Sequence, residues 1–544
     1  MNTRSRFCAH TGPPRLSTLF RSLVVLLIGS AILVPLQYGT AATISVNTYV
    51  DVVANDGKCS LREAVTAINT SVTSGNTNGE CAAGDGNNDT IMLPATTYYL
   101  TIAGANENLN ATGDLDLRAS MTIAGAGMDS TIINGPPDRV MQIIGPSIQV
   151  SLQDLMISGG HAPDGSDEAS GARGGALLVS NATLTLQHVE LSGNLGGRGG
   201  NAFDNQFSSG GDGGAGGGLA ADASVVIVSD SVLTANHAGD GGNAAEAYMS
   251  HAGFGGDGGA ISLTNGSTLT LQRSSLTANA SGLAGLFDAD ADSGYGGALS
   301  LGQNSSATVT QSDIDGNASG DTSIGSNGGG IAVRGGGTLE VTQSSVTRNV
   351  SRLGGGIYVA SPATLLVHNG TLAANQASSG GAIFVQNTSA VIDLATISGN
   401  TAAIGSGIAI LTINQDVNIS NSIVSGNGGG GTDCEIYGGG DPDYSSAGYN
   451  VAGSGCPSDG TGDIMTSDPQ LGPLSANGGF GDTMMPNPTS PATDAGSCAA
   501  SSVYVDERTN TRPSDVPRVA NVADGCDIGA VELDDDLFWD GLEG

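Results

Sequence analysis

One pattern recurs eight times along the chain and constrains the fold more than any other feature. Each unit opens on a glycine-rich step followed by Leu or Ile, and closes on Asn 17 to 19 residues later. The opening residues are Leu177, Leu219, Ile261, Leu299, Ile331, Ile357, Ile383 and Ile408, and the closing residues are Asn194, Asn236, Asn279, Asn317, Asn349, Asn375, Asn400 and Asn427. Internal repeats with a period of roughly 20 to 50 residues indicate a stacked architecture.

The spacing inside each unit identifies the stacked element. Apolar residues alternate with polar ones, as Ile383 and Val385 do, and this period of two is typical of strands with one buried face. Each unit holds three such segments, separated by Gly, Asn and Ser. We therefore predict an all-β chain folded as a right-handed parallel β-helix with three strands per coil. The repeated asparagine is expected to stack at one corner, each amide bonding its neighbours.

All the variation in repeat length lies at one corner. The distance from each asparagine to the next opening residue runs 25, 25, 20, 14, 8, 8 and 8 residues, so the early coils carry a tapering row of Gly- and Asp-rich loops. Such a lateral row is a candidate binding face. The alternative is that these loops are decoration, since a solenoid tolerates insertions at little cost.

One loop of this row contains a candidate metal site. The segment DADADSG places Asp288, Asp290 and Asp292 before Gly294, as in the first half of a calcium loop. The closing glutamate is missing, because Leu299 stands where it would fall. The open alternatives are a low-affinity calcium site and a solvated acidic loop, and no other cofactor is expected.

Charge excludes one class of partner. The net charge is −35 and Lys58 is the only lysine, so the surface repels nucleic acid and anionic lipid.

The N-terminal sequence predicts export. Residues 1–42 combine arginines without acids, an apolar run and small residues, as in a signal peptide, with an uncleaved anchor as the alternative. A secreted or cell-surface protein with no later transmembrane segment follows from this interpretation. Six cysteines remain after removal of the signal, and we propose neighbour pairing, although fifteen pairings and metal binding stay open. The proposed disulfides are Cys59–Cys81, Cys434–Cys456 and Cys498–Cys526.

Both ends resemble known families. The segment CSLREAVTAIN, Cys59 to Asn69, resembles the signature of the CSLREA domain of exported bacterial proteins; Ser60 and Glu63 form a capping box that opens a short helix over the first coil. The glycine and asparagine steps are loosely similar to chlamydial-type polymorphic outer membrane proteins. SPATDAG, DERTNTRP and CDIGAVE resemble the choice-of-anchor Q domain, with Thr493 in place of its usual Ile and Thr509 in place of its glycine. The resemblance implies an exported β-helix of a Gram-negative bacterium.

These observations give five segments. They are a signal peptide (1–42), an N-terminal cap with the first coils (43–120), the β-helix (121–430), a disulfide-stapled C-terminal cap (431–533) and an acidic-aromatic tail (534–544). Whether the C-terminal cap packs on the last coil or hangs from it stays open.

The residues do not form a recognisable catalytic set. Among the candidate bases Arg273, Arg334, Arg348 and Arg352, the last two lie beside an asparagine corner and are expected in exposed salt bridges. Asp313 and Asp315 are expected to face solvent together, Asp393 is solitary, and His188 and His368 are expected at surface positions of strands. We therefore expect no catalytic residues and a non-catalytic, adhesin-like or structural rod, monomeric, that binds a glycan or cell-surface ligand through its loops. The alternative is a polysaccharide-active lyase or glycoside hydrolase. An autotransporter is disfavoured, because few alternating segments follow Asn427.

Overall fold

The computed structural model describes residues 41–105, 107–135, 138–203, 208–245, 250–287, 291–320, 325–411, 416–437, 443–501, 503–517 and 519–533. The expected signal peptide, except for its last two residues, and the acidic-aromatic tail lie outside these ranges. None of the helices in the described ranges is both long and apolar enough to span a bilayer.

The chain forms a right-handed parallel β-helix built from three ladders of strands. The first ladder follows the glycine steps, and all its pairings are parallel. Its strands are Leu115–Leu117, Met141–Ile144, Leu177–Ser180, Leu219–Asp222, Ile261–Thr264, Leu299–Leu301, Ile331–Val333, Ile357–Ala360, Ile383–Gln386, Ile408–Leu411 and Cys434–Ile436. The predicted fold class is confirmed.

The second and third ladders belong to one sheet, because two long strands, Gln149–Ser158 and Thr183–Ser192, run through both. The other strands of the second ladder are Thr43–Ser45, Asp89–Met92, Met121–Ala124, Val225–Ser229, Thr268–Gln272, Ser306–Thr310, Thr338–Thr342, Thr364–His368, Ser389–Asp393, Asp416–Ser420 and Asp443–Gly448. The other strands of the third are Thr97–Tyr99, Ile132–Asn134, Val232–Thr234, Ser275–Thr277, Asp313–Asp315, Ser345–Thr347, Thr371–Ala373, Thr396–Ser398, Ile423–Val424, Val451–Ala452 and Ile464–Met465.

The aliphatic columns of the repeat form the core. Leu177 pairs with Leu219, and Leu219 with Ile261, so equivalent residues of successive coils lie above one another. All eight opening residues are completely buried. Burying one such side chain contributes about 1.5 to 3 kcal/mol, so the repeated column is the main stabilising element of the stack.

The asparagine corner forms a continuous hydrogen-bonded ladder, as predicted. The Asn194 amide donates to Oδ1 of Asn236 at 2.9 Å, and the same bond repeats along the stack to Asn427. The last amide, Asn427, donates to the carboxylate of Asp433 at 3.0 Å. The ladder therefore ends on a charged acceptor in the C-terminal cap.

A short helix, α1 (Leu61–Thr70), covers the open edge of the first ladder. The capping box of Ser60 and Glu63 is present. Arg62 donates to the carbonyls of Gly113 and Asp114, at 2.8 and 3.1 Å. Asn69 donates to the carbonyl of Asp116 at 2.6 Å, and its own carbonyl accepts from the amide of Arg118 at 2.9 Å. These two side chains satisfy backbone groups that a further strand would otherwise pair.

The C-terminal cap continues the helix and then turns back along it. The residues after Met465 return over the outer face of the third ladder, where Gly529 donates to the carbonyl of Asn421 at 2.8 Å and Gln343 donates to the carbonyl of Asp506 at 3.0 Å. A second short helix, α2 (Cys498–Ser501), lies in this cap. All three proposed disulfides are formed. The cap therefore packs on the last coil and also covers several earlier ones.

The three motifs that resemble the choice-of-anchor Q domain meet inside this cap. The amide of Asp494 donates to Asp527 at 2.7 Å, which joins the first motif to the third. Arg512 forms an ion pair with Glu532 at 2.8 Å, and both side chains are fully inaccessible to solvent. A buried charge needs its partner, so these pairs link the motifs tightly.

The described residues of the loop row form a second layer that is hydrogen-bonded from coil to coil. Backbone amides of one loop donate to carbonyls of its neighbours, as Gly239 does to Gly214 and Gly256 does to Gly239, each at 2.8 Å. A Cβ atom on Gly239 would lie 1.8 Å from the carbonyl oxygen of Gly197. The glycines are required because the loop backbones touch. We call this structure the loop layer.

Candidate functional site

A cleft opens where the loop layer meets the residues that follow the first ladder. Its volume is about 350 Å³. Its lining is Asp212, Gly213, Ala215, Phe254, Gly255, Gly256, Asp257, Asp292, Ser293, Tyr295 and Arg334. We call it the loop-side cleft. Three separate loops and one strand end contribute to it, because equivalent loop positions of successive coils are stacked.

Arg334, Tyr295 and Asp257 form one connected group in this cleft. The guanidinium carbon of Arg334 lies 3.8 Å from the centre of the Tyr295 ring, in the geometry of a cation–π contact. Arg334 also forms an ion pair with Asp257, whose other oxygen accepts the backbone amide of Tyr295 at 2.8 Å. The side chains of Arg334 and Asp257 are 39% and 25% exposed, so the group is fixed in place yet reachable by a ligand.

The phenol of Tyr295 is suited to donating a hydrogen bond. Burial, the largest cause, raises its pKa; Asp292 and Asp257 also raise it, while Arg334 and a hydrogen bond with Asn327 act in the opposite direction. A phenol is protonated at neutral pH even at its usual pKa of about 10, and a raised pKa makes it a weaker acid, so the hydroxyl is suited to donating a hydrogen bond.

The two remaining carboxylates differ in their contacts. Asp212 accepts the backbone amide of Phe254 at 2.9 Å and so joins two neighbouring loops. The carboxylate of Asp292 makes no hydrogen bond or ion pair within the described part of the chain. Phe254 lies beside them with 50% of its side chain exposed. The cleft therefore offers a ligand an unoccupied carboxylate and an exposed aromatic side chain.

The predicted calcium loop is only partly visible. Asp292 lies in the lining of the cleft, whereas Asp288 and Asp290 fall outside the described residues. Within the described ranges, three residues of the types that bind metals lie close together: Cys498, Cys526 and Glu532. The two cysteines are joined in a disulfide. The calcium interpretation stays a prediction.

A row of aromatic rings continues from the cleft along the outer face of the first ladder. The centres of Tyr295 and Tyr358 are 6.1 Å apart, those of Tyr358 and Phe384 are 5.8 Å apart, and those of Phe384 and Tyr437 are 5.9 Å apart. Phe384 is completely buried, and burial raises the pKa of Tyr358 to about 12. This row of rings lies along one side of the cleft, and most of its surface is buried.

The other arginines singled out in the sequence lie away from the cleft. Arg273 forms a two-pronged pair with Asp230 at 2.7 and 2.8 Å. Arg348 pairs with Asp315 and Asp482, which matches the salt-bridge expectation and adds a link to the C-terminal cap. The salt-bridge expectation fails for Arg352, which forms no ion pair with a described residue and whose Nε is buried without a hydrogen-bond partner. Its charge acts on Tyr358 and Tyr437, away from the cleft.

Asp313 and Asp315 lie together on the outer face of the sheet, as expected, and both are partly exposed. The C-terminal cap approaches Asp313 at Gly481, and burial raises the pKa of Asp313 to about 6. Its carboxylate accepts a hydrogen bond from Ser345 at 2.8 Å.

Asp393 was expected to lack a second carboxylate, and its partners in the described residues are not carboxylates. It is 6% exposed and accepts hydroxyl hydrogen bonds from Ser420 and from Ser501 of the cap. His368 lies 3.3 Å from its second oxygen, and His188 lies 3.1 Å from Asp154. The two histidines occupy partly exposed strand positions, as expected.

Sequence reasoning missed most of the cleft. Arg334 was a candidate, but Asp257, Tyr295 and Phe254 were not, because they lie in insertions without a repeated column. The ion pair between Arg334 and Asp257 spans 77 residues of sequence. The available signal was register: Asp257 and Tyr295 both stand four residues before the opening Ile or Leu of their coil, so stacking places them next to each other.

No protein-family model matches the chain, and no curated protein is similar to it. Among solved structures, it is similar to the A-modules of two mannuronan C-5 epimerases of Azotobacter vinelandii. For AlgE6 the identity is 14% and the TM-score 0.37, covering 70% of this chain and 91% of that one. For AlgE4 the identity is 14% and the TM-score 0.34, covering 65% and 90%. A mannuronic acid specific polysaccharide family 6 lyase from human gut microbiota is 11% identical, with a TM-score of 0.23 and coverage of 71% and 88%.

These three structures are polysaccharide-active β-helix enzymes. The likeness concerns architecture and assigns no role to any residue of this chain.

Proposed function

We propose that this protein is an exported, polysaccharide-active β-helix protein that holds a glycan chain in the loop-side cleft. The observation that supports it best is the group formed by Arg334, Tyr295 and Asp257. It combines a charged planar donor, an aromatic ring, a phenol and a carboxylate in an open cleft, and such a mixture of apolar and polar groups is typical of ligand sites. Three disulfides within one chain fit an oxidising, extracytoplasmic compartment.

Cleavage or rearrangement of the glycan would use the Tyr295 phenol and the carboxylate of Asp292 together. The phenol is protonated at neutral pH and can donate to an oxygen of the glycan, although its raised pKa makes it a weaker acid than a free phenol. Asp292, which has no partner of its own in the described residues, is the group available to accept a proton or to activate a water. In this mechanism Arg334 positions the sugar, and Asp257 holds Arg334.

A non-catalytic, adhesin-like rod is the second candidate. The observation that favours it is the extent of the loop layer, whose inter-coil hydrogen bonds run from Gly165 to Ala318 and build a lateral surface much larger than the cleft. In that case the cleft is a binding pocket, and no bond of the glycan changes.

The test combines a glycan-binding screen with a search for reducing-end and unsaturated products, with and without calcium. Three variants separate the functions. Arg334→Ala should weaken binding about tenfold or more, since it removes a charged contact. Tyr295→Phe keeps the ring, so it should preserve binding but reduce turnover about 100-fold or more if the phenol is the proton donor. Arg273→Ala is the matched control, because it breaks a similar arginine–aspartate pair away from the cleft.

Binding without products, sensitive to Arg334→Ala only, would select the adhesin-like function. If no glycan is bound or converted, or if Arg334→Ala and Arg273→Ala have equal effects, the proposed function is wrong.

A further inference from the structure

The charges of the loop-side cleft do not balance. Its lining holds the carboxylates of Asp212, Asp257 and Asp292 against a single described cation, Arg334. That cation is already paired with Asp257 and stacked on Tyr295. The next cation along the groove, Arg173, donates to Thr264 at 2.9 Å and lies 3.8 Å from Asp222. Every described cation near the cleft therefore has an anionic partner.

A sugar that carries a carboxylate meets an unfavourable environment here. It would lose its hydration near three carboxylates while both neighbouring guanidinium groups stay engaged. It would have to share Arg334 with Asp257, which already pairs with one nitrogen of that guanidinium. The overall charge of −35 adds repulsion at longer range.

A protonated amine fits the groups that remain open. The carboxylate of Asp292 makes no bond within the described residues, and a charge-assisted hydrogen bond to an ammonium group would satisfy it. Phe254, half exposed at the rim, presents a ring that can attract the same cation. Asp212 joins the loop that carries Phe254 and lies in the same lining.

We infer that the glycan of the loop-side cleft contains amino sugars with free amines, and that Asp292 is the residue that selects them. This inference rests on the proposed function and assigns its substrate class. It differs from the uronate specificity that the names of the structurally similar enzymes describe. Asp292 acts as a specificity-determining residue, and Phe254 contributes its ring face.

The experiment compares four short oligosaccharides of equal length by calorimetry at about 0.15 M salt, where long-range attraction is largely screened. They are oligomers of glucosamine, of N-acetylglucosamine, of galacturonate and of mannuronate. The first two differ in the charge of the amine, so their ratio isolates the group that Asp292 should recognise. The acidic oligomers are measured with calcium and with chelator.

The glucosamine oligomer should bind about tenfold or more tightly than its acetylated counterpart and the acidic oligomers. Asp292→Asn should remove most of this preference without affecting folding, because the native carboxylate makes no described bond. Asp167→Asn is the matched control: it removes the same charge from an exposed position of the loop layer outside the cleft, and it should change affinity less than twofold.

Equal loss in Asp292→Asn and Asp167→Asn would show non-specific attraction and overturn the inference. Tighter binding of an acidic oligomer, with or without calcium, or of the acetylated oligomer, would also overturn it. Those outcomes leave the proposed function intact as long as Arg334→Ala weakens binding. If the protein binds neither these oligosaccharides nor any other glycan, the proposed function itself is wrong.

Discussion

The side-chain amide of Asn349 donates a hydrogen bond to Oδ1 of Asn375 across 3.0 Å, and both residues are completely buried. The same amide donates to the carbonyl of Ile314 at 2.9 Å, while its own oxygen accepts both the backbone and side-chain amides of Asn317. One side chain thus satisfies polar groups on both neighbouring coils. Removing it leaves several buried groups without partners.

Asn349→Ala should lower the free energy of unfolding by about 3 kcal/mol, since each buried polar group without a partner costs roughly 1 to 3 kcal/mol. The measurement is the urea midpoint followed by circular dichroism. Asn418→Ala is the control, because Asn418 is an exposed residue of a second-ladder strand, and it should shift the free energy by less than about 0.5 kcal/mol. Equal effects of the two substitutions would mean that the asparagine ladder is not a major source of stability.

The coils, the asparagine ladder, the capping helix and the disulfide pairs could all be predicted from the sequence. Each depends on a repeated column or on residues close in the chain, such as Ser60 and Glu63, or Cys434 and Cys456. The alternation of apolar and polar residues determines which side chains point inward. Stacking of the coils then places equivalent residues above one another.

Two features could not be predicted in the same way: the packing of the C-terminal cap on Asp313, and the loop-side cleft. The residues that pack on Asp313 come from a C-terminal cap without repeats, so no column places them. The cleft combines residues from insertions of different lengths, and its ion pair between Arg334 and Asp257 crosses several coils. The choice-of-anchor Q and CSLREA resemblances stay predictions, although the structure shows what their motifs do here.

Thr509 is a residue that the structure places in an unfavourable backbone conformation. Its φ is +76°, in the left-handed region that β-branched residues avoid, and the resembling family has glycine there. The conformation is required by a tight turn, in which Asp506 accepts the backbone amides of Arg508 and Asn510 at 2.8 and 2.9 Å. The side chain of Thr509 is exposed.

Thr509→Gly should therefore stabilise the protein by about 0.5 to 1 kcal/mol. The substitution removes the unfavourable Cβ contact, and the greater entropy of the unfolded chain offsets part of that gain. Thr509→Ala is the control at the same position, since it keeps Cβ and should give little gain. Thermal unfolding and amide exchange of residues 506–512 measure both. A gain as large with alanine as with glycine would show that the threonine side chain, not its φ, is responsible.

Two acidic residues near helix α1 predict how stability depends on pH. Burial raises the pKa of Asp114 to about 7 and that of Asp116 to about 6. Glu107, Asp138, Arg118 and Arg139 face them; the acids raise these pKa values and the arginines lower them. The folded protein thus holds both carboxyl groups protonated at a pH where the unfolded chain has ionised them.

The sign of the pH effect follows from this difference. The stabilisation is complete below about pH 4, where both states are protonated, and it is lost as the pH rises through about 6 to 7. Asp313, with a pKa raised to about 6, acts in the same direction at the C-terminal cap. We expect the urea midpoint to fall between pH 4.5 and 7.5.

Asp114→Asn should flatten this decline, because asparagine does not titrate; the slope should decrease by up to about 1.4 kcal/mol per pH unit for one proton. Asp167→Asn, at an exposed position, serves as the control and should leave the slope unchanged. Urea titrations at five pH values give both slopes. A midpoint that rises with pH in the unsubstituted protein would contradict the assignment, because it would require these carboxyl groups to be ionised in the folded state.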